Sequence, residues 1–253
     1  MIELKIAGIF DSSTQDYPGK VAAVIYLCGC PYRCPWCQNP ELSEGGEICR
    51  TVDVNFIVSA LKEDFLIGAA CITGGEPLMQ EASLELFREI KKQTDLSLKL
   101  DTNGYYPDML ALALPYVDLL SMDIKATFGE EYGVAAGLGD KYDEAITRMK
   151  RSLEVIRDWG GASEARTTVV PGITDSKEAI EEIASTVKEY GFKSYTLQQF
   201  RPMNTLDPAY MKKKSPSHAL MLELGKAAKK MLPQVNVKIF TQLKGFEIIS
   251  SDV

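Results

Sequence analysis

Short apolar runs alternate along the chain with stretches of helical periodicity. Six runs are rich in Val, Ile and Leu: "VAAVIYL" (21–27), "GAACIT" (68–73), "LSLKLDT" (96–102), "VDLLSMDI" (117–124), "ARTTVV" (165–170) and "SYTLQQF" (194–200). Each has the length of a strand. Several lack strict apolar/polar alternation, as strands buried on both faces do. A further run, "VNVKIF" (235–240), follows them. Between the runs, apolar residues recur at spacings of three and four over 52–63, 81–93, 142–159, 177–190 and 221–232, which predicts helices. Asp175-Ser176 reads as the N-cap of the fourth of these.

Strands that alternate with helices imply βαβ units, hence a parallel sheet with right-handed crossovers. An open doubly wound sheet and a full or partial barrel both satisfy the pattern. In either, chemistry gathers at the C-terminal ends of the strands. Polar or glycine-rich punctuation falls at those ends: Cys30 after the first run, "TGGEP" (73–77) after the second and "DTNG" (101–104) after the third. "MDIK" (122–125), "VPG" (170–172) and "QQFRP" (198–202) end the fourth, fifth and sixth.

Composition narrows the picture. With 253 residues the chain suits one large α/β domain or two small ones, and 45% hydrophobic residues can fill a core without a disulfide framework. A net charge of −7 argues against bulk nucleic-acid binding, which neutralises phosphates with Lys and Arg. No apolar run approaches the roughly 20 residues of a membrane span, and "MIELKIAGIFD" lacks the long apolar core of a signal peptide. The expected compartment is the cytoplasm, where thiols stay reduced. Six cysteines, three of them clustered, then read as metal-binding or catalytic thiols rather than disulfides. A single histidine, His218, excludes a His-rich metal site.

The cluster is "GCPYRCPWCQNP", with Cys30, Cys34 and Cys37 spaced x3 and x2. Four-ligand zinc sites usually add a second Cys pair, and conventional iron–sulfur sites use four Cys per cluster. No second pair follows here. Three thiolates can hold three irons of a 4Fe–4S cluster and leave the fourth open to a small molecule. A structural zinc site with Cys28 or Cys49 as fourth ligand is the bland alternative.

"CPYRCPWC" after a strand, with Trp36 just before the last Cys, resembles the signature of radical S-adenosylmethionine enzymes. "DYPGKVAAVIYLCGCPYRCPWCQNPEL" is similar to the start of glycyl-radical-enzyme activating enzymes, most of all the activator of anaerobic ribonucleoside-triphosphate reductase. "TGGEP", "DTNG", "MDIKA" and "VVPG" occur in the same order in the pyruvate formate-lyase activator, so the likeness covers most of 16–202. It implies a partial (β/α)6 TIM-like barrel, one domain over 1–253 with its core at about 16–232. It also implies a 4Fe–4S cluster on Cys30, Cys34 and Cys37, with S-adenosylmethionine on the open iron. The activity implied is reductive cleavage to a 5′-deoxyadenosyl radical that takes a glycine Cα hydrogen from a partner enzyme, under anaerobic conditions. A flavodoxin- or ferredoxin-type protein would supply the electron; no membrane and no nucleic acid are expected. The runner-up is the same chemistry on a small molecule, a peptide or RNA. A non-enzymatic iron–sulfur or zinc protein is the other class. Such activators often carry His after the third Cys, where this chain has Gln38.

Further residues follow from the strand ends. Gly74 and Gly75 let backbone approach closely, and Glu76 adds an acceptor for a cationic amine ahead of Pro77; a plain strand-to-helix turn explains the same four residues. The resemblance makes this turn the binder of the methionine amino group. Asp101 and Asp123, on neighbouring strand ends, could share a cation or bind ribose hydroxyls. The resemblance implies a monovalent cation near Asp101, Thr102 and Asp123, with Asn103 in the same "DTNG" turn. Lys125 reads as a charge partner or a cosubstrate contact. Arg166 is suited to a carboxylate, or else to an ordinary strand-end salt bridge. His218 reads as a lone surface residue, Lys212–Lys214 as a solvated turn, and the methionines at 109, 149, 221 and 231 as packing positions.

Overall fold

The computed structural model describes residues 2–250. The chain falls into two compact units, residues 1–31 with 39–121, and residues 32–38 with 122–253. The strand Leu119–Asp123, β6, runs from the first into the second.

In the first unit the strands are β1 (Glu3–Ser13), β2 (Ala22–Leu27), β3 (Arg50–Asp53), β4 (Ala69–Gly74) and β5 (Ser97–Thr102). They lie in the order β3-β1-β2-β4-β5. β2, β4 and β5 are parallel, and β1 is antiparallel to both of its neighbours. The parallel strands explain the unalternated runs: Ala22 to Ile25 and Ala69 to Ile72 are all essentially inaccessible, because helices cover their outer face. The helices are α1 (Pro40–Glu44), α2 (Val54–Glu63), α3 (Ser83–Gln93) and α4 (Pro107–Ala113). Asp53 caps α2 by accepting from the Asn55 N–H at 2.7 Å. On α3 the buried Leu86, Phe87 and Ile90 form one stripe while Glu85, Arg88, Glu89 and Lys92 pair on the other.

The second unit contains α5 (Glu130–Ala136), α6 (Tyr142–Trp159), β7 (Ser163–Val169), α7 (Lys177–Glu189), β8 (Ser194–Gln199), α8 (His218–Met231), β9 (Asn236–Thr241) and β10 (Gly245–Ile248). β7, β8 and β9 are parallel, and β10 folds back antiparallel on β9. The expected long helix over 142–159 is α6, with Ala145, Met149, Leu153 and Ile156 buried at helical spacing. Ser176 accepts from the Ala179 N–H at 3.1 Å, the expected cap of α7. β7 alternates regularly: Ser163, Ala165, Thr167 and Val169 are buried, and the other face carries Glu164, Arg166 and Thr168.

The periodicity missed β1, β3 and β10, and helices α1, α4 and α5. β1 spreads over eleven residues with register shifts at two places, which blurs its alternation. The other missed elements have seven residues or fewer, below the length at which periodicity is informative. Two further expectations change. His218 opens α8 and bonds Glu247 Oε2 at 2.7 Å, half-buried rather than alone at the surface. Lys213 donates to the Pro171 carbonyl at 2.8 Å and lies over the Tyr210 ring, so it ties the 212–214 turn down. Met149 and Met221 are fully buried, as expected. No described helix is long and apolar enough to cross a membrane.

Candidate active site

In the first unit, β2 ends at Leu27 and the chain turns at Gly29, whose φ of +91° suits glycine. The Gly29 and Cys30 amides donate to the carbonyls of Leu42 and Ser43 on α1, at 2.8 and 3.2 Å. Against this turn lies the glycine pair that ends β4. Gly75 donates to the Leu27 carbonyl at 2.8 Å and Glu76 N–H to the Gly29 carbonyl at 2.7 Å. A Cβ on Gly75 would sit 2.1 Å from the Gly29 carbonyl oxygen, and one on Gly74 would sit 2.2 Å from that of Leu27. The two missing side chains therefore let the turn pack against the main chain beside Cys30.

Glu76 is fully buried. Its Oε1 accepts from the Leu78 N–H at 3.1 Å, capping the Pro77–Met79 turn, and from the Thr102 hydroxyl at 2.9 Å; Oε2 accepts from the Asn103 N–H at 2.7 Å. The carboxylate thus bridges the ends of β4 and β5, satisfying donors that burial would otherwise strand. Asn103 in turn donates its Nδ2 to Cys30 Sγ at 3.5 Å. Its Oδ1 accepts from the Tyr105 N–H at 3.0 Å, closing an Asx turn. One network therefore joins Glu76, Leu78, Thr102, Asn103 and Cys30. Asp101 forms an ion pair with Lys99 at 3.0 Å, both nearly buried.

Cys34, Trp36 and Cys37 belong to the second unit, on the 32–38 loop. The Cys37 N–H closes a tight turn on the Cys34 carbonyl at 2.9 Å, and Arg33 N–H donates to Ala136 at the end of α5. Gly137, φ +65°, is the close contact there: a Cβ would meet the Arg33 carbonyl oxygen at 1.9 Å. Burial pushes the Cys34 thiol up to about 11; Lys125 opposes this while Cys37 and Asp123 add to it. Trp36 is buried with its ring 6.1 Å from that of Tyr210.

Asp123, Lys125 and Arg166 form one charge cluster. Arg166 Nε donates to Asp123 Oδ1 at 2.9 Å and Lys125 Nζ to Oδ2 at 3.3 Å. Burial raises the Asp123 carboxyl, but Arg166 and Lys125 outweigh it and bring it down to about 2. Two residues that sequence reasoning passed over continue the cluster. Glu164 accepts from Lys238 Nζ on β9 at 2.8 Å and from the Thr196 hydroxyl at 2.6 Å. Burial raises it too, yet Lys238 and Arg166 bring it down to about 2. The signal was present: Glu164 lies two residues from Arg166, hence on the same face of β7.

Cys28 and Cys49 form a disulfide, with Cα atoms 6.2 Å apart. This corrects the expectation that all six cysteines are thiols, and it removes both residues as a fourth zinc ligand. Cys30, Cys34, Cys37 and Cys71 are not disulfide-bonded. Among the described residues no three His, Cys, Asp or Glu side chains converge as ligands of a single ion. Thiolates that each take a separate iron need not converge on one point. Of the three clustered cysteines, Cys30 in the first unit carries an amide donor on its sulfur, a contact that suits a metal-bound thiolate, and Cys34 and Cys37 share the 32–38 loop of the second.

Residues 24–197 match the family model of the radical SAM superfamily. The chain is 33% identical over 236 residues to a protein of Methanocaldococcus jannaschii provisionally named a glycyl-radical enzyme activating enzyme, covering 92% of this chain and 95% of that one. It is 28% identical over 193 residues to the pyruvate formate-lyase-activating enzyme of Clostridium pasteurianum, covering 74% and 78%. Among solved structures, a radical SAM methyltransferase from Sphaerobacter thermophilus superposes with a TM-score of 0.65 at 15% identity, over 90% of this chain and 68% of that one. The chain belongs to the radical SAM superfamily, with its α/β, partial TIM-like barrel fold. Within that superfamily it is an enzyme of the glycyl-radical enzyme activating type. The family implies a 4Fe–4S cluster and S-adenosylmethionine.

Proposed function

We propose that this single-domain enzyme activates anaerobic ribonucleoside-triphosphate reductase by generating a glycyl radical on it. The observation that carries the site assignment is the clustered set Cys30, Cys34 and Cys37, none of which is disulfide-bonded, while Cys28 and Cys49 pair with each other. Cys30, Cys34 and Cys37 would hold the cluster, which when bound would supply the one-electron reduction of S-adenosylmethionine, and the chain's own residues would bind and orient the cosubstrate. The Gly74–Pro77 turn would present backbone to the methionine amine, with the buried Glu76 carboxylate holding that turn in shape. For the cosubstrate the first unit would offer Asp101, Thr102 and Asn103, and the second Trp36, Asp123, Lys125 and Arg166; the resemblance adds a monovalent cation near Asp101 and Asp123. Arg166, whose guanidinium is held by Asp123, is poised for a carboxylate. Glu164, on the same face of β7 and paired with Lys238, adds a second anion in the field of that guanidinium.

A flavodoxin- or ferredoxin-type donor delivers the electron, and the setting is cytoplasmic. The net charge of −7 supports a protein partner over nucleic acid. The test is anaerobic reconstitution with iron and sulfide, then dithionite and S-adenosylmethionine. Production of 5′-deoxyadenosine is expected, and its absence from cluster-loaded protein refutes the radical chemistry. Mixing with the reductase is expected to give a glycyl EPR doublet that needs both proteins. No doublet, with intact deoxyadenosine formation, would transfer the assignment to another substrate.

A further inference from the structure

Between β8 and α8 the chain makes an excursion over residues 200–217. Its one helical piece is the 3-10 turn Tyr210–Lys212, and long connections with so little regular structure are uncommon in compact domains unless they serve a function. Its first half lies along the loop that carries Cys34 and Cys37. The Asp207 N–H donates to the Pro35 carbonyl at 2.9 Å, and the Leu206 N–H to the Cys37 carbonyl at 3.1 Å. Asn204 Nδ2 donates to the Gln38 carbonyl at 3.0 Å. From the other side, Gln38 Nε2 donates to the Arg201 carbonyl at 3.2 Å. Trp36 packs on Tyr210 at the far end.

The segment is itself braced. Arg201 lies over the Phe240 ring at 5.3 Å. The Thr205 hydroxyl donates to the Asp207 carbonyl and Asp207 Oδ1 accepts from the Ala209 N–H, both at 2.8 Å. Asn204 has φ +49°, the one described non-glycine residue at positive φ. Asn tolerates that conformation, and it persists where the surroundings hold it. The held side chain is the one that bonds the cysteine loop.

We propose that residues 201–210 are a clamp on the 35–38 loop, and that Gln38 is the positioning residue that closes it. The loop has little regular structure to satisfy its main chain, and the clamp takes the carbonyls of three of its four residues. A loop ordered in advance does not have to lose its conformational freedom when the cluster binds. Bonding those carbonyl oxygens to N–H donors also offsets negative dipole ends beside an anionic cluster. This gives Gln38 a role: the position after the third Cys must reach the Arg201 carbonyl with a donor. Imidazole can do the same, so Gln38→His should retain the clamp and Gln38→Leu should not.

The inference uses the cluster reading only for what the loop carries, and its first measurement needs no cluster. Gln38→Leu and Asn204→Gly each remove one side-chain donor; glycine keeps φ accessible at 204. Hydrogen exchange at the Leu206 and Asp207 amides is expected to accelerate roughly three- to tenfold in each, with β7 and β8 unchanged and Gln38→His close to wild type. Reconstituted Gln38→Leu is expected to show a shifted redox midpoint that Gln38→His returns. Wild-type exchange at 206 and 207 in Gln38→Leu or in Asn204→Gly overturns the clamp. So does a uniform acceleration that includes β8, or a midpoint that stays at the wild-type value in Gln38→Leu. If the wild-type chain takes up no cluster, the functional reading fails and the exchange measurement alone decides the clamp.

Discussion

Replacing Glu76 by Gln keeps the shape of the side chain and changes only its charge and hydrogen bonding. The carboxylate accepts from three donors, the Leu78 and Asn103 amides and the Thr102 hydroxyl, at 3.1, 2.7 and 2.9 Å. A glutamine has one acceptor oxygen. With that oxygen at the Oε1 position, its NH2 group faces the Asn103 N–H. With the amide flipped, it faces the Leu78 N–H, while the Thr102 hydroxyl can rotate to accept. Either way one buried backbone donor is stranded, at about 1–3 kcal/mol, and the retained bonds lose their charge assistance, about 0.5 kcal/mol each. The sum is roughly 2–4 kcal/mol, a large part of a domain's stability. Urea unfolding followed by circular dichroism measures it, provided the m-value is unchanged. A Thr102→Val cycle tests the reasoning further, because Glu76 and Thr102 should couple by about 1 kcal/mol. A loss below about 0.5 kcal/mol for Glu76→Gln, or additivity in the cycle, would refute the view that this buried charge is a bridge between strand ends.

Gly75→Ala places a Cβ 2.1 Å from the Gly29 carbonyl oxygen, and real contacts stay above 3.0 Å, so backbone must move by at least 0.9 Å. We expect a loss of about 2–4 kcal/mol and reduced iron per chain after reconstitution, whereas Gly68→Ala, whose Cβ would meet only the Lys20 side chain at 3.6 Å, stays within about 1 kcal/mol of wild type. Glu164 has its carboxyl lowered from 4.5 to about 2, so it contributes stability that is fully present above pH 4.5 and is lost as pH falls through 2. The contribution is of order 3 kcal/mol. Glu164→Gln should therefore trail wild type by about that much at pH 7 and converge on it near pH 2 in thermal unfolding; a gap that does not vary with pH contradicts the ion-pair origin.

The strand ends were legible because the physics that places them is local. A strand buried on both faces must be apolar, so the first polar or glycine residues after it mark where the sheet stops. That is why Cys30, Gly74, Gly75, Glu76, Asp101 and Asp123 could be picked out without coordinates. Roles were less legible than positions. The two glycines read as room for a ligand; in the fold they accommodate the Leu27 and Gly29 main chain. Glu76 read as an acceptor for a cationic amine; in the fold its buried carboxylate accepts from the Leu78 and Asn103 amides and the Thr102 hydroxyl.

Chain order and residue chemistry alone therefore set the βα alternation, the cysteine spacing and the family resemblance, since each depends on neighbours a few residues apart. Folding set the partnerships. The Cys28–Cys49 bond, the Glu164–Lys238 pair and the Gln38–Arg201 contact join residues 21, 74 and 163 positions apart. Nothing in the local pattern names such a partner. It is chosen by which strands and loops lie side by side, and by the need to satisfy every charge and amide that the packing takes out of water.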